Sequence, residues 1–550
     1  MSRLSRRIFL ENAAAASLVF GSRSVAGFMP ALPQEQDASR HNQENLAHLP
    51  LTTPEPQLNA LALQGFVDAL PLPETIRPAQ SRLSVTMREI NVSLHYDLPP
   101  AKLWTYAAGD GRRGAVSLNP LSPVIELRKG EPAQIEWVNL LPERHLFTID
   151  RSLRGCGPGI PDVRAAVHVH GARTRSKDDG YPEDWYVSGQ SRVCRYPMQQ
   201  DAAMLWYHDH AMGLNRLNIY AGLAGMVLVR DHAEDALGLP HGPYEVPLIL
   251  YDRILTRSGQ LLYPTSGNPV HSWVSEFSGD ALCVNGKVRP FFDVKPMLYR
   301  FRILNAANSR FYSLSLTGQR TFQQIGSDQG LLSAPVAMQK LILAPGERAD
   351  LLLDFRGLAG QKIHLQTGVQ QMLEFRVSSR PEPRRPQTRF PTALRPVTRI
   401  DTAAAITTRR ITLNEYQDKA GNPTVMLLNR KYWHDAVTET VRLNTIEIWE
   451  FINLTADTHP MHIHLVRFQI LDRRSFDRFD YLMYGRMRYT GNQETPPPQE
   501  LGWKDVVQCP GGMVTRIVVR FEGFAGRYLY HCHILEHEAN DMMRPLEIVY

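Results

Sequence analysis

The sequence predicts an all-β chain of three tandem sandwich or barrel domains, and three observations carry that prediction. Its apolar segments are short and strand-like: IEWVNL, MVLV, LLLDF and RIVVRF, punctuated by Gly and Pro. Its 550 residues exceed what one ordinary domain holds. One pattern also recurs along the chain at a spacing of about 150 residues, enough for each copy to close its own core.

The repeat is legible residue by residue. APGERADLLLDFRGLAGQKIHLQT (Ala344–Thr367) runs parallel to CPGGMVTRIVVRFEGFAGRYLYHCH (Cys509–His533), with Phe355, Gly357, Ala359 and Gly360 matching Phe521, Gly523, Ala525 and Gly526. LWYHDH (Leu205–His210) repeats the end of the pattern, so the closing triplets are HDH, LQT and HCH. Each copy also has an earlier strand ending in asparagine, at Asn139, Asn305 and Asn453. The middle copy keeps the scaffold but has Leu365, Gln366 and Thr367 where the others have metal-type residues.

In chain order, residues 1–26 read as an export signal. Twin arginines Arg6 and Arg7 precede the apolar AAAASLVFG and a small-residue SVA ending at Ala26. This implies the twin-arginine (Tat) export machinery as a partner and a periplasmic or secreted location in a bacterium. Residues 27–80 lack periodicity and are expected to form a loose start followed by a strap across the body. The three domains are expected at 81–235, 236–378 and 401–550. Five prolines between Ser378 and Arg399 make 379–400 a stiff, extended linker.

Composition narrows the function. No apolar run approaches the roughly eighteen residues that a membrane span needs. The formal net charge is +6, and the signal's four arginines against one glutamate leave +3 for the remainder. So small a balance does not point to nucleic acid. If Cys532 binds metal, Cys156, Cys194, Cys283 and Cys509 remain, with three possible pairings in an oxidising compartment. Cys156 with Cys194 is the favoured pair because both fall in one domain, with free buried thiols as the alternative.

Ten of the 19 histidines fall in four short windows: HVHG (His168, His170), HDH (His208, His210), HPMHIH (His459, His462, His464) and HCHILEH (His531, His533, His537). A strand puts both members of an HxH pair on one face, where they can share a metal or serve two adjacent ones. Cys532, between His531 and His533, faces the other way. Cys532, His537 and one further histidine, His459, with Met542 as weak axial ligand, match the His₂Cys–Met blue-copper pattern. Eight imidazoles remain, enough for three more coppers. Zinc competes for such ligands but cannot change oxidation state. The HCH triplet would then carry electrons from one copper to the others through a few covalent bonds.

These motifs, in this order and across about 375 residues, resemble those of the multicopper oxidases, three-domain proteins of the Greek-key cupredoxin fold. DGYPEDW, LWYHDHAMG, RLNIYAGLAG and GWKD further resemble the branch containing spore-coat laccases and bilirubin oxidases. The resemblance implies four coppers per chain. His459, Cys532, His537 and Met542 would hold type 1 copper, and His168 with His462 the type 2 copper. The two type 3 coppers would take His170, His208 and His533, and His210, His464 and His531. It implies coupling of one-electron oxidation of a donor, phenolic or an aromatic amine, to reduction of O₂ to water. Asp179 and Glu538 sit where that branch has proton-delivering acids; an acid orienting a ligand histidine is the alternative. Oxidation of Cu(I) or another metal ion, and bilirubin-type oxidation, are the competing activities. The 17 methionines form no rich insert of the kind that marks the metal oxidases. A non-enzymatic envelope scaffold is disfavoured because such relatives lose copper ligands. The donor is expected near His537 and the loop Met483–Glu500.

Overall fold

The computed structural model describes residues 55–109, 119–268, 271–380 and 390–550. The twin-arginine segment, the rest of the region before residue 55 and part of the proline-rich linker lie outside them. Residues Pro56–Tyr550 form one unit.

Among the described residues, six larger sheets group in three pairs along the chain, with one two-stranded ribbon besides. Each pair is built the same way. In the first, Arg82–Val92 lies parallel beside Ala133–Asn139; in the second, Glu245–Arg253 beside Leu298–Asn305; in the third, Ala405–Gln417 beside Ile446–Asn453. Parallel neighbours cannot be joined by a hairpin, so the chain crosses to the second sheet of the pair between them. The recurring asparagine has a structural reason. Asn139, Asn305 and Asn453 are fully buried, and each accepts on Oδ1 from the backbone N–H two residues on, at 2.9–3.1 Å. Each Nδ2 donates to a carbonyl elsewhere in its module. The side chain turns the chain out of its strand while leaving no buried polar atom open.

Each pair closes on its own apolar core: Trp137 and Tyr207 in the first, Phe301 and Phe375 in the second, Trp449 and Phe521 in the third. A smaller cluster of Trp206 and Met226 with Ile249 and Leu304 joins the first two. The third core continues outward to Leu217, Tyr220 and Trp273, so all three modules meet there. Residues 56–76 strap the body: Ala60 is buried against Leu255 and Cys283, and Thr75–Ile76 adds a parallel strand at Val124–Ile125. In the described part of the linker, Leu394 packs near Ile325 and Arg395 pairs with Asp231.

All five cysteines are free and buried, so the expected Cys156–Cys194 bond does not form. The two thiols face different cores. Cys156 packs with Ala211 and Leu214, whereas Cys194, opposite Ile135 in its ladder, faces the first module's core.

Candidate metal centre

Two strand pairs bring the histidine motifs together. The HDH strand pairs antiparallel with the HVH strand, His208 opposite His168, and the HCH strand with HPMHI, His531 opposite His462. Strand alternation then separates Cys532 from its neighbours, as the spacing requires. Cys532 Sγ lies 3.6 Å from His459 Nδ1 and 3.8 Å from His537 Nδ1, and the two Nδ1 atoms are 3.2 Å apart. Met542 is fully buried beside this group, its carbonyl accepting from Cys532 N and its N–H donating to His537 O.

On the opposite face the other eight histidines fall into three groups: His168, His170 and His462; His170, His208 and His533; His210, His464 and His531. Each group mixes the first and third modules. The second contributes no imidazole to them, but its turn at Gly346 reaches His533. At φ +81° a Cβ there would stand 2.6 Å from His533 Cδ2, so only glycine permits the approach.

Six of these eight rings are held through one nitrogen. His168, His208, His462 and His531 donate from Nδ1 to the carbonyls of Asp179, Asp209, Asp505 and Cys532 at 2.6–2.9 Å. A donating Nδ1 leaves a bare lone pair on Nε2. His170 is turned the other way: Nε2 lies 3.1 Å from the Asp505 carboxylate, so Nδ1 is open. Nε2 of His168, His208 and His462, Nδ1 of His170 and both nitrogens of His210 and His533 are buried with no hydrogen-bond partner. Converging buried lone pairs are costly unless a cation occupies their focus, so the donor set fits bound metal. Burial, reinforced by neighbouring imidazoles, holds His170, His208, His210, His459, His462, His464 and His533 well below the usual imidazole range. They are neutral at pH 7, the form that binds copper.

Three buried acids reach these rings. Asp179 Oδ2 is 2.7 Å from His464 Nδ1 while Oδ1 is 3.4 Å from His168 Nδ1. Glu538 accepts from Asn215 Nδ2 at 2.6 Å, and its oxygens lie 3.4 Å from His210 Nδ1 and 3.1 Å from His531 Nδ1. Asp505 was not singled out from the sequence. It is gripped through both oxygens by Arg348 at 2.6 Å, and Gln329 adds a third bond. Its only sequence signal is the GWKD motif, which names no role.

The outer edge of the Cys532 group holds one acid that the sequence did not single out. His537 Nε2 faces Glu276 at 3.2 Å, and that side chain is 40% exposed. The loop Met483–Glu500, beside which the donor is expected, bonds to Asp472, Arg473 and Ser475 of its own module, and its Gln499 carbonyl accepts from Gln324 Nε2 of the middle module at 3.5 Å. Glu276 lies far from any histidine motif in sequence, so only the fold reveals it.

Comparison with known proteins agrees with this architecture. Multicopper oxidase family models match residues 162–234 and 405–549. A laccase of Bacillus subtilis is 42% identical over 520 residues, covering 89% of this chain and 99% of that one. A laccase of Bacillus stratosphericus is 40% identical, covering 88% and 99%. The crystal structure of a multicopper oxidase from Aquifex aeolicus superposes with a TM-score of 0.72 at 28% identity, covering 89% of this chain and all of that one.

Proposed function

Since the chain belongs to the multicopper oxidase family, we propose that it is an exported, laccase-like enzyme coupling one-electron oxidation of phenolic or aromatic donors to reduction of O₂ to water. Copper oxidase activity follows from the family. The donor class, the export and four coppers per chain are the proposed parts. His459, Cys532, His537 and Met542 would hold the type 1 copper, and His168 with His462 the type 2 copper. His170, His208 and His533 would hold one type 3 copper, and His210, His464 and His531 the other. Copper there would supply one-electron redox chemistry, four electrons from donor and four protons turning one O₂ into two waters.

The observation that carries the reading is Cys532 between His531 and His533. Its thiol faces one donor group while its two neighbours enter two others, so a few covalent bonds join the sites. A metal store or a zinc site needs no such bridge.

The protons must come through the chain's own acids. Asp505 cannot supply them, since its two oxygens are occupied by Arg348, Gln329 and His170. Asp179 Oδ1 and Glu538 Oε2 are buried without a hydrogen-bond partner. The nearby Nδ1 hydrogens of His168 and His531 are already donated to carbonyls. These two oxygens are free to hold a proton, and burial pushes the Asp179 carboxyl up, toward the protonated form. At the other end Glu276, part-exposed against His537, suits a phenol that must shed a proton as it loses an electron. The same carboxylate suits a cationic donor, which makes Cu(I) or another oxidisable metal ion the second reading. Arg6, Arg7 and the small-residue stretch ending at Ala26 support export.

Oxygen uptake by copper-loaded protein, with an electron-rich phenol and Cu(I) run in parallel, tests the proposal. Faster uptake with the phenol is expected. Faster uptake with Cu(I) replaces the donor class, and none with either donor in fully loaded protein overturns the reading.

A further inference from the structure

The helix Leu535–Ala539 sends three successive side chains three ways, as about 100° per residue requires. Glu538 turns to the eight-histidine cluster and His537 to Cys532 and His459. Glu536 turns to the junction of all three modules. It is fully buried, and its carboxylate accepts from Tyr263 Oη, from Asn308 Nδ2 at 3.1 Å and from Ser309 Oγ at 3.2 Å. Its backbone carbonyl accepts from Trp273 Nε1 at 3.0 Å, and Leu535 N donates to Asn308 O at 3.0 Å. All four of these partners belong to the middle module. From the first, buried Arg216 lies against the Tyr263 ring, 5.2 Å from its centroid, and its carbonyl accepts from Asn308 Nδ2.

A five-residue helix is far too short to hold its own orientation. Its direction is therefore set by what grips it, and the densest grip is on the residue next to His537. We propose that Glu536 is a positioning residue: the middle module, through Tyr263, Asn308, Ser309 and Trp273, aims His537 Nδ1 at Cys532 Sγ and His459 Nδ1. This gives the module that offers no histidine to the clusters a part in the copper chemistry. The inference rests on the assignment of copper to His459, Cys532 and His537.

The test compares full-length, copper-loaded wild type with Glu536→Ala, Glu536→Gln and Tyr263→Phe. Three readouts apply: the blue absorption, copper per chain after dialysis against a chelator, and thermal stability. Loss of a hydrogen-bonding partner behind a ligand weakens metal retention about 10–100-fold. Glu536→Ala is expected to lose blue absorption and one copper while the cluster keeps its complement. Tyr263→Phe should shift in the same direction by less. Glu536→Gln should recover most of the loss, because its amide oxygen still accepts from Tyr263. An alanine variant with the wild-type spectrum and copper retention overturns the proposal, as does a uniform loss of all coppers, which would mean general loosening. If the alanine variant does not fold, Tyr263→Phe decides alone, and an unchanged spectrum and copper content there overturn it. Wild type that takes up no copper at Cys532 would defeat the copper assignment itself, a result separable from all of these.

Discussion

The middle and third modules carry the same strand put to opposite uses. In the third, His531 stands across the ladder from His462, and in the first His208 stands across from His168. The matching pair in the middle module is Gln366 opposite Ser315, because Leu365 and Leu316 face that module's own core as Tyr530 and Ile463 face the third's. Gln366 donates to Ser315 Oγ and Thr367 Oγ1 accepts from Ser313 N, so the triplet's polar atoms are spent inside the sheet. Backbone, register and alternation are shared once LQT is shifted by one residue against HCH; two side chains decide whether that face bonds to itself or carries a metal site. The difference teaches that the barrel positions ligands at no extra structural cost, whereas the open nitrogens must be supported by partners from another module. The middle module supplies such support instead, through Arg348 to Asp505 and through the grip on Glu536.

The largest effect expected on this contrast comes from Cys532→Ser, which makes the third copy as redox-silent as the second. Donor-driven O₂ uptake should fall to the protein-free rate and the blue absorption vanish, while copper in the eight-histidine cluster stays bound. Uptake that survives would show that electrons reach the cluster without the Cys532 bridge. Next, Glu538→Gln preserves the acceptor for Asn215 but cannot carry a proton. O₂ reduction should slow roughly 100-fold, within the range of a lost general acid, with the blue absorption unchanged. Wild-type turnover would leave Glu538 with an orienting role only.

A smaller effect concerns protons rather than electrons. Seven histidines of the metal groups are held well below the ordinary range by burial, so the unfolded chain binds more protons than the folded one as pH falls through about 6.5. More protons on the unfolded side means that stability declines with falling pH. Copper-free protein should therefore lose thermal stability below about pH 6.5, and copper loading should flatten that decline because protons must displace the metal. Melting curves of both forms from pH 5 to 8 check it. A copper-free curve flat with pH would mean that these rings are solvated without metal.

Sequence made much of this visible because strand periodicity and ligand chemistry are both local. The HxH spacings place rings on one face whatever the fold, and the repeated asparagine marks a turn that each module needs. What stayed hidden depends on contacts between distant segments. Asp505 and Arg348 are 157 residues apart, and Glu276 and Tyr263 approach the Glu536–His537 turn from the middle module. The favoured Cys156–Cys194 bond failed for the same reason, since membership of one domain does not say which core a side chain faces.

The smallest functional effect, and the sharpest for the comparison, comes from grafting the ligand pair into the silent copy. Ser315→His with Gln366→His would restore the cross-strand histidines of the other modules. No additional copper is expected, because the groups elsewhere draw on two modules, whereas this pair is bonded only across its own ladder. What should change is stability, by about 1 kcal/mol for the cross-strand hydrogen bond lost. Copper per chain and the melting temperature report the two consequences separately. An extra copper bound at unchanged stability would mean that the strand pair alone makes the site. The inter-module partners, including the grip on Glu536, would then be refinements of a site already complete rather than what holds it open.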